Sequence, residues 1–167
     1  MAAVPNELEA RAALLADVTV GEISQRYKVG EELGAGAQAT VFRASARKSG
    51  AKAAVKVLDA KDLEDDDLFE ALQMEVSLLK QIRHPHIVSL TEVVRDAAHV
   101  YLVQECLGGG ELFEQLLARG PFKEDYALAI FAQVALAVDY LHGLEIAHRD
   151  LKAENLVFAG SLHRRLP

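Results

Sequence analysis

Three short runs rich in β-branched residues, Tyr27 to Leu33, Thr40 to Ala46 and Ala51 to Leu58, follow one another with only a few residues between them. A parallel crossover needs a dozen or more connecting residues, so gaps this short force an antiparallel array. The turn Lys48-Ser49-Gly50 supplies one reversal. Two further strands, Ile87 to Val94 and His99 to Gln104, flank the turn Arg95-Asp96-Ala97. Between the two groups, Leu68, Leu72, Val76, Leu79 and Ile82 recur at helical spacing until His84-Pro85 stops the run. The expected fold class is therefore α+β, with a five-stranded antiparallel sheet carrying one helix.

Beyond residue 107 the pattern becomes helical. Gly108-Gly109-Gly110 marks a flexible joint, Glu111 to Leu117 a short helix, and Gly120-Pro121 a break. Residues Lys123 to His142 then form a long helix with Tyr126, Ile130, Val134, Val138 and Leu141 on one stripe. Ala127, Leu128, Phe131 and Leu136 broaden it, and so wide an apolar surface expects burial on more than one side. Residues 1–26 read as a leader, either a short amphipathic helix built on Leu8, Ala13, Leu14, Leu15 and Val18 or a frayed end.

Eighteen basic against 25 acidic residues give a net charge of -7, which argues against attraction to nucleic acid or anionic lipid. Asp139 and Gln133 interrupt the apolar stretch 126–144, so it is expected to fall short of a membrane span. The single cysteine, Cys106, and an N-terminus without a basic, apolar signal suit an intracellular, cytoplasmic protein. The acidic run Asp62 to Asp67 lies where a helix begins and complements its dipole, a simpler reading than a metal site.

Three motifs carry chemistry. Gly34-Ala35-Gly36-Ala37-Gln38-Ala39 is a glycine-rich turn between strands, and bare backbone N–H groups of such turns approach phosphate oxygens closely. It also fits a dinucleotide fingerprint, with Asp59 twenty residues after Ala39, although that fold requires a helix where Thr40-Val41-Phe42 favours a strand. An ordinary hairpin turn is the third alternative. Lys56, in the apolar strand Ala53-Ala54-Val55, either snorkels to water or is paired by a phosphate and a carboxylate; Glu75, at the edge of the helical stripe, is the candidate carboxylate. The third motif is His148-Arg149-Asp150-Leu151-Lys152-Ala153-Glu154-Asn155. Its aspartate can accept the proton of an attacking hydroxyl, its lysine can neutralise a transferring phosphoryl group, and its asparagine can ligate Mg²⁺.

In this order the three motifs resemble the eukaryotic protein kinase family, and Lys152 after Leu151 is similar to its serine/threonine branch. The resemblance covers residues 27–158, and His84-Pro85-His86-Ile87-Val88 and Gly109-Gly110-Glu111-Leu112-Phe113 are further landmarks. It implies a kinase N-lobe with hinge at 27–107, a partial helical C-lobe at 108–158, and ATP and Mg²⁺ as cofactors, with a protein serine or threonine as acceptor. By position it implies Gly34 and Gly36 over the phosphates, with Ala39 replacing the third glycine. Leu33, Val41, Ala54 and Val157 would flank adenine, and Gln104 would be the gatekeeper. Glu105 and Leu107 would offer hinge backbone, and Glu111 would meet the ribose or a basic substrate residue. Lys56 would contact the α- and β-phosphates and pair with Glu75, Asp150 would be the catalytic base, Lys152 would meet the γ-phosphate, and Asn155 would bind the metal.

The family continues after Asn155-Leu156-Val157-Phe158 to an Asp-Phe-Gly segment that residues 159–167 do not match; they read as an unrelated, disordered tail. The expectation is a truncated kinase of reduced or absent phosphotransfer, and for this chain the competing class, a non-catalytic nucleotide-binding or interaction fragment, is favoured. A partner protein would then cover the apolar face of 126–141, with no nucleic acid and no membrane involved.

Overall fold

The computed structural model describes residues 15, 17–36 and 39–160. Its strands are β1 (Val18–Val20), β2 (Tyr27–Ala35), β3 (Thr40–Ala46), β4 (Lys52–Asp59), β5 (Leu90–Arg95) and β6 (His99–Glu105). Its α-helices are α1 (Ile23–Arg26), α2 (Asp66–Gln81), α3 (Leu112–Arg119) and α4 (Glu124–Gly143), with 3₁₀ turns at Ala60–Glu64 and Ala153–Asn155. The chain divides into two compact units. The first runs to Ile82 and includes Ser89–Cys106; the second comprises Arg83–Val88 and the residues from Leu107 onward.

The first unit is one sheet in the order β1-β5-β6-β4-β3-β2. All pairings are antiparallel except β1 with β5, which is parallel. The α+β class holds, but the sheet has six strands and not five. The extra strand comes from the leader, where Val18-Thr19-Val20 suits an extended edge and Gly21, at φ 144, ends it while donating its N–H to the Arg95 carbonyl. Of the expected leader helix, Leu15 and Val18 are not helical and Leu8, Ala13 and Leu14 lie outside the described residues, as do Ala37, Gln38 and residues 161–167 of the tail; the leader's one described helix is the four-residue α1. Strand β5 starts at Leu90, three residues later than expected, because His84-Pro85-His86-Ile87 makes a turn closed from the Ile87 N–H to the His84 carbonyl.

The period-2 alternation gives each sheet face its own core. Leu58, Leu90, Val93, Val100 and Leu102 pack under α2 with Phe69, Leu72 and Val76. Ala44, Ala53, Val55, Val94, Tyr101 and Val103 form the opposite face with Ile23 and Tyr27. Asp65 begins α2 by accepting the Leu68 N–H at 3.0 Å, and Asp66 and Asp67 occupy its first turn, so the acidic run is a helix start. Asp59 likewise caps the following turn through the Lys61 N–H, which disposes of the dinucleotide alternative for that carboxylate.

The second unit is built on α3 and α4. Gly120 ends α3 at φ 77, a conformation that side chains resist. The joint 108–112 pairs with 156–159: Gly109 donates to the Phe158 carbonyl, Phe158 to Gly110, and Leu112 to Leu156. A Cβ on Gly109 would overlap Phe158 and the Gly160 carbonyl, so glycine there permits a close backbone approach that its flexibility alone does not explain. On α4 the stripe Tyr126, Ile130, Val134 and Val138 is half-buried and Leu141 buried, whereas Leu128, Phe131 and Leu136 are exposed at 64, 68 and 56%. The expected burial on more than one side is therefore not seen. With 20 residues and a mean hydropathy of 1.3, α4 is also long and apolar enough to cross a bilayer by length and composition alone, contrary to the sequence expectation, a test that core helices of soluble proteins pass too.

Candidate functional site

Residues of the first unit assemble one part of the site. Ladder partners across the sheet define a single row, Val18, Val93, Leu102, Lys56, Val41 and Gly34, so these positions share the face under α2. Ala54 and Gln104, paired with each other and two residues from Lys56 and Leu102, lie on that face as well. From α2, Glu75 meets Lys56 with both carboxylate oxygens, at 2.7 and 2.8 Å from Nζ. The pair is partly exposed, 26% for Lys56 and 36% for Glu75, so its value is in orienting the ammonium more than in stability. Lys56 is thus paired and does not snorkel. A small pocket beside it is lined by Leu58, Leu63, Leu68 and Leu72.

The glycine-rich turn joins β2 to β3. Gly34 pairs with Val41, Ala35 with Thr40, and Gly36 donates to the Ala39 carbonyl at 2.8 Å. Leu33 sits within the second of two register shifts of β2, between Glu32 and Gly34, and is 42% exposed. Ala39 packs its methyl against the core under α2, which a glycine there could not do. Glu105, exposed at the end of β6, exchanges backbone and side-chain hydrogen bonds with Ser89.

The second unit carries the other part. Arg149 takes a left-handed φ of 64, a strained conformation for an arginine, immediately before Asp150. Lys152 Nζ lies 3.0 Å from Asp150 Oδ2, and Asn155 Nδ2 donates both to Oδ2 at 2.9 Å and to the Asp150 carbonyl at 2.8 Å. These hydrogen bonds from Lys152 and Asn155 hold the Asp150 carboxyl below the usual carboxylate range. Its Oδ1 has no hydrogen bond among the described residues, and neither has the Asn155 amide oxygen. The Asp150 N–H approaches His148 Nδ1 at 3.3 Å. Glu111 precedes α3 and forms an isolated antiparallel bridge with Val157, which is 42% exposed. Leu107 makes no backbone hydrogen bond among the described residues, leaving its amide and carbonyl available.

The structure thus brings together Lys56 with Glu75, and Asp150 with Lys152 and Asn155, as two local constellations, each within one unit. Among the described residues no group of three or more His, Cys, Asp or Glu side chains could hold a metal by itself. Leu15 and Val18, read from the sequence only as part of a leader helix or frayed end, instead share the core under α2, and their apolarity was the one signal of it.

This geometry agrees with the relationships of the sequence. The protein kinase domain profile matches residues 27–166. The chain is 40% identical over 131 residues to CBL-interacting serine/threonine-protein kinase 9 of Arabidopsis thaliana, covering 78% of this chain and 29% of that protein. It is 41% identical over 138 residues to calcium/calmodulin-dependent protein kinase type 1B of Rattus norvegicus, covering 83% and 40%. It is 39% identical over 136 residues to myosin light chain kinase A of Dictyostelium discoideum, covering 81% and 46%. The chain belongs to the eukaryotic protein kinase family, serine/threonine type. It spans less than half the length of these relatives.

Proposed function

We propose that this chain carries the nucleotide-binding and phosphoryl-transfer residues of an ATP- and Mg²⁺-dependent protein serine/threonine kinase. The supporting observation is the geometry of Asp150: Oδ2 is committed to Lys152 and Asn155, whose hydrogen bonds favour the ionised carboxylate, while Oδ1 has no hydrogen bond among the described residues and is free to meet an acceptor hydroxyl. A carboxylate so held orients an acceptor hydroxyl and receives its proton at Oδ1 as the oxygen attacks phosphorus. Lys152 neutralises charge beside it. Lys56, fixed by Glu75, is aimed to bind phosphate oxygens of the nucleotide, with the glycine-rich turn at Gly34 giving its backbone to the same task and Leu33, Val41 and Ala54 available to the base. Leu107 and Glu105 offer hinge backbone groups, and Glu111 a carboxylate for ribose or a basic peptide.

The donor chemistry fits Mg²⁺. Asn155 spends its amide nitrogen on Asp150, which leaves a hard amide oxygen, and Mg²⁺ commonly needs only one or two protein oxygens beside water and phosphate. When bound, the ion supplies charge neutralisation on the phosphates.

Calorimetry with Mg·ATP and transfer of labelled phosphate to serine/threonine peptides test this. Wild type is expected to bind Mg·ATP, and Lys56→Ala to weaken binding at least about tenfold, the size of a charge-assisted hydrogen bond. Asp150→Ala should keep the affinity and abolish transfer. Equal affinity in wild type and Lys56→Ala refutes the nucleotide site. Binding without transfer by wild type favours the second reading, a nucleotide-binding interaction fragment.

A further inference from the structure

The leader's two contacts with the core under α2, buried Leu15 and half-buried Val18, have no role in the site as described, yet both fall on its supports. Leu15 is 2% exposed and belongs to the cluster that contains Phe69, Leu72 and Val76, the inner face of α2. Val18 packs against the same cluster and opens the ladder row that reaches Lys56 through Val93 and Leu102. Glu75 lies beside Val76 and one turn from Leu72, so whatever fixes those two residues fixes the carboxylate that holds Lys56.

The leader is also anchored independently of α2. On the opposite face of the sheet Ile23 and Tyr27 join the second core cluster with Val94 of β5, so the segment packs against both faces of the sheet. Arg26 pairs with Glu92 of β5 at 2.7 Å, the Tyr27 hydroxyl donates to the same carboxylate, and Arg47 Nε donates to the Ser24 carbonyl at 2.6 Å. Asp17, at a left-handed φ of 51, turns the chain from Leu15 into β1 and lies 3.6 Å from Lys80 near the end of α2.

We propose that the leader, through Leu15 and Val18, is a built-in strap that sets the position of α2 against the sheet, making these two side chains positioning residues for the Lys56–Glu75 pair. The proposal rests on the nucleotide-site reading for its functional consequence and on packing alone for its structural one. A leucine seated under α2 from a segment tied to β5 couples the strap to the helix, and Glu75 transmits the coupling to the lysine.

The test uses the whole chain with Leu15→Ala, with the milder Val18→Ala in case the first fails to fold. In hydrogen exchange, amides of α2 between Leu72 and Leu79 should exchange about tenfold faster in the variant, while amides of the β3–β4 hairpin keep their rates. A merely structural role would accelerate both alike, and that result overturns the proposal. Mg·ATP affinity should fall several-fold in Leu15→Ala and recover in Leu15→Met. In a Glu75→Gln background, Leu15→Ala should have no further effect; an equal loss in both backgrounds shows that Leu15 does not act through Glu75 and overturns the assignment. If wild type binds no Mg·ATP, the nucleotide reading has failed, and the exchange comparison still decides whether the strap positions α2.

Discussion

The strand-built first unit and the helix-built second unit bury their apolar residues unequally. Of the 21 buried hydrophobic side chains among the described residues, 20 belong to the first and only Leu141 to the second. A sheet with two covered faces encloses side chains layer by layer, so Val55, Val93, Leu102 and Val103 are wholly inaccessible. A helix encloses only the stripe it turns toward a neighbour, and α4 leaves the flank of Leu128, Phe131 and Leu136 to solvent. The difference bears on function: the Lys56–Glu75 pair stands on a dense core, whereas Asp150, Lys152 and Asn155 are held by hydrogen bonds among themselves and by local backbone geometry.

The largest effect that could break this contrast is a cavity. Leu102→Ala should cost about 3 kcal/mol in urea denaturation, while Phe131→Ser should stay within about 0.5 kcal/mol. A comparable loss at Phe131 would mean that the α4 flank is covered in solution. Next, the second unit should be sensitive where its backbones meet. Gly109→Ala is expected to cost about 2 kcal/mol by overpacking and to expose the Leu112 and Phe158 amides to exchange, with Gly108→Ala, which meets nothing within 4 Å, as the near-neutral control. Absence of a difference between the two glycines would remove the close approach from the account.

The smallest effect sharpens the electrostatics of the first unit. Burial opposes ionisation of Asp96, but hydrogen bonds from Tyr101 and from the Ala98 and His99 amides outweigh it and leave the carboxyl below its ordinary range. Burial and the same bond push the Tyr101 hydroxyl upward, as burial and Glu92 push Tyr27 to about 12. A depressed carboxyl contributes stability above its unfolded pKa of about 4, and the contribution disappears as pH falls through the folded value. Asp96→Asn should therefore cost about 1 kcal/mol at neutral pH and converge with wild type in strong acid. Equal destabilisation at pH 7 and pH 3 would sink this assignment.

What the sequence made legible follows from distance along the chain. The turn between β3 and β4 and the caps of α2 are local chemistry, and their elements fall within two residues of expectation. Asp150, Lys152 and Asn155 lie within six residues of each other, and the Lys56–Glu75 pair spans 19, short enough for periodicity to point both side chains to one face. Strand β1 was illegible because three residues carry no period, and its partner β5 is remote: Arg26 and Glu92, which join the same segments, are 66 apart. The exposed flank of α4 was equally hidden, since apolarity states what a helix can bury and not what lies beside it.

The two rims of the sheet bear on how the protein avoids its own kind. An open strand edge is a template on which a second copy can add hydrogen bonds and begin a fibre. At one rim β1 is only three residues long and Gly21 turns the chain away at its end. At the other, β2 is nine residues long, but two register shifts break its ladder and Lys28, Glu31 and Glu32 charge it. Among the described residues neither rim offers a long, flat, neutral row of free amides, so the short β1 that the leader adds and the broken ladder of β2 both disfavour edge-to-edge pairing.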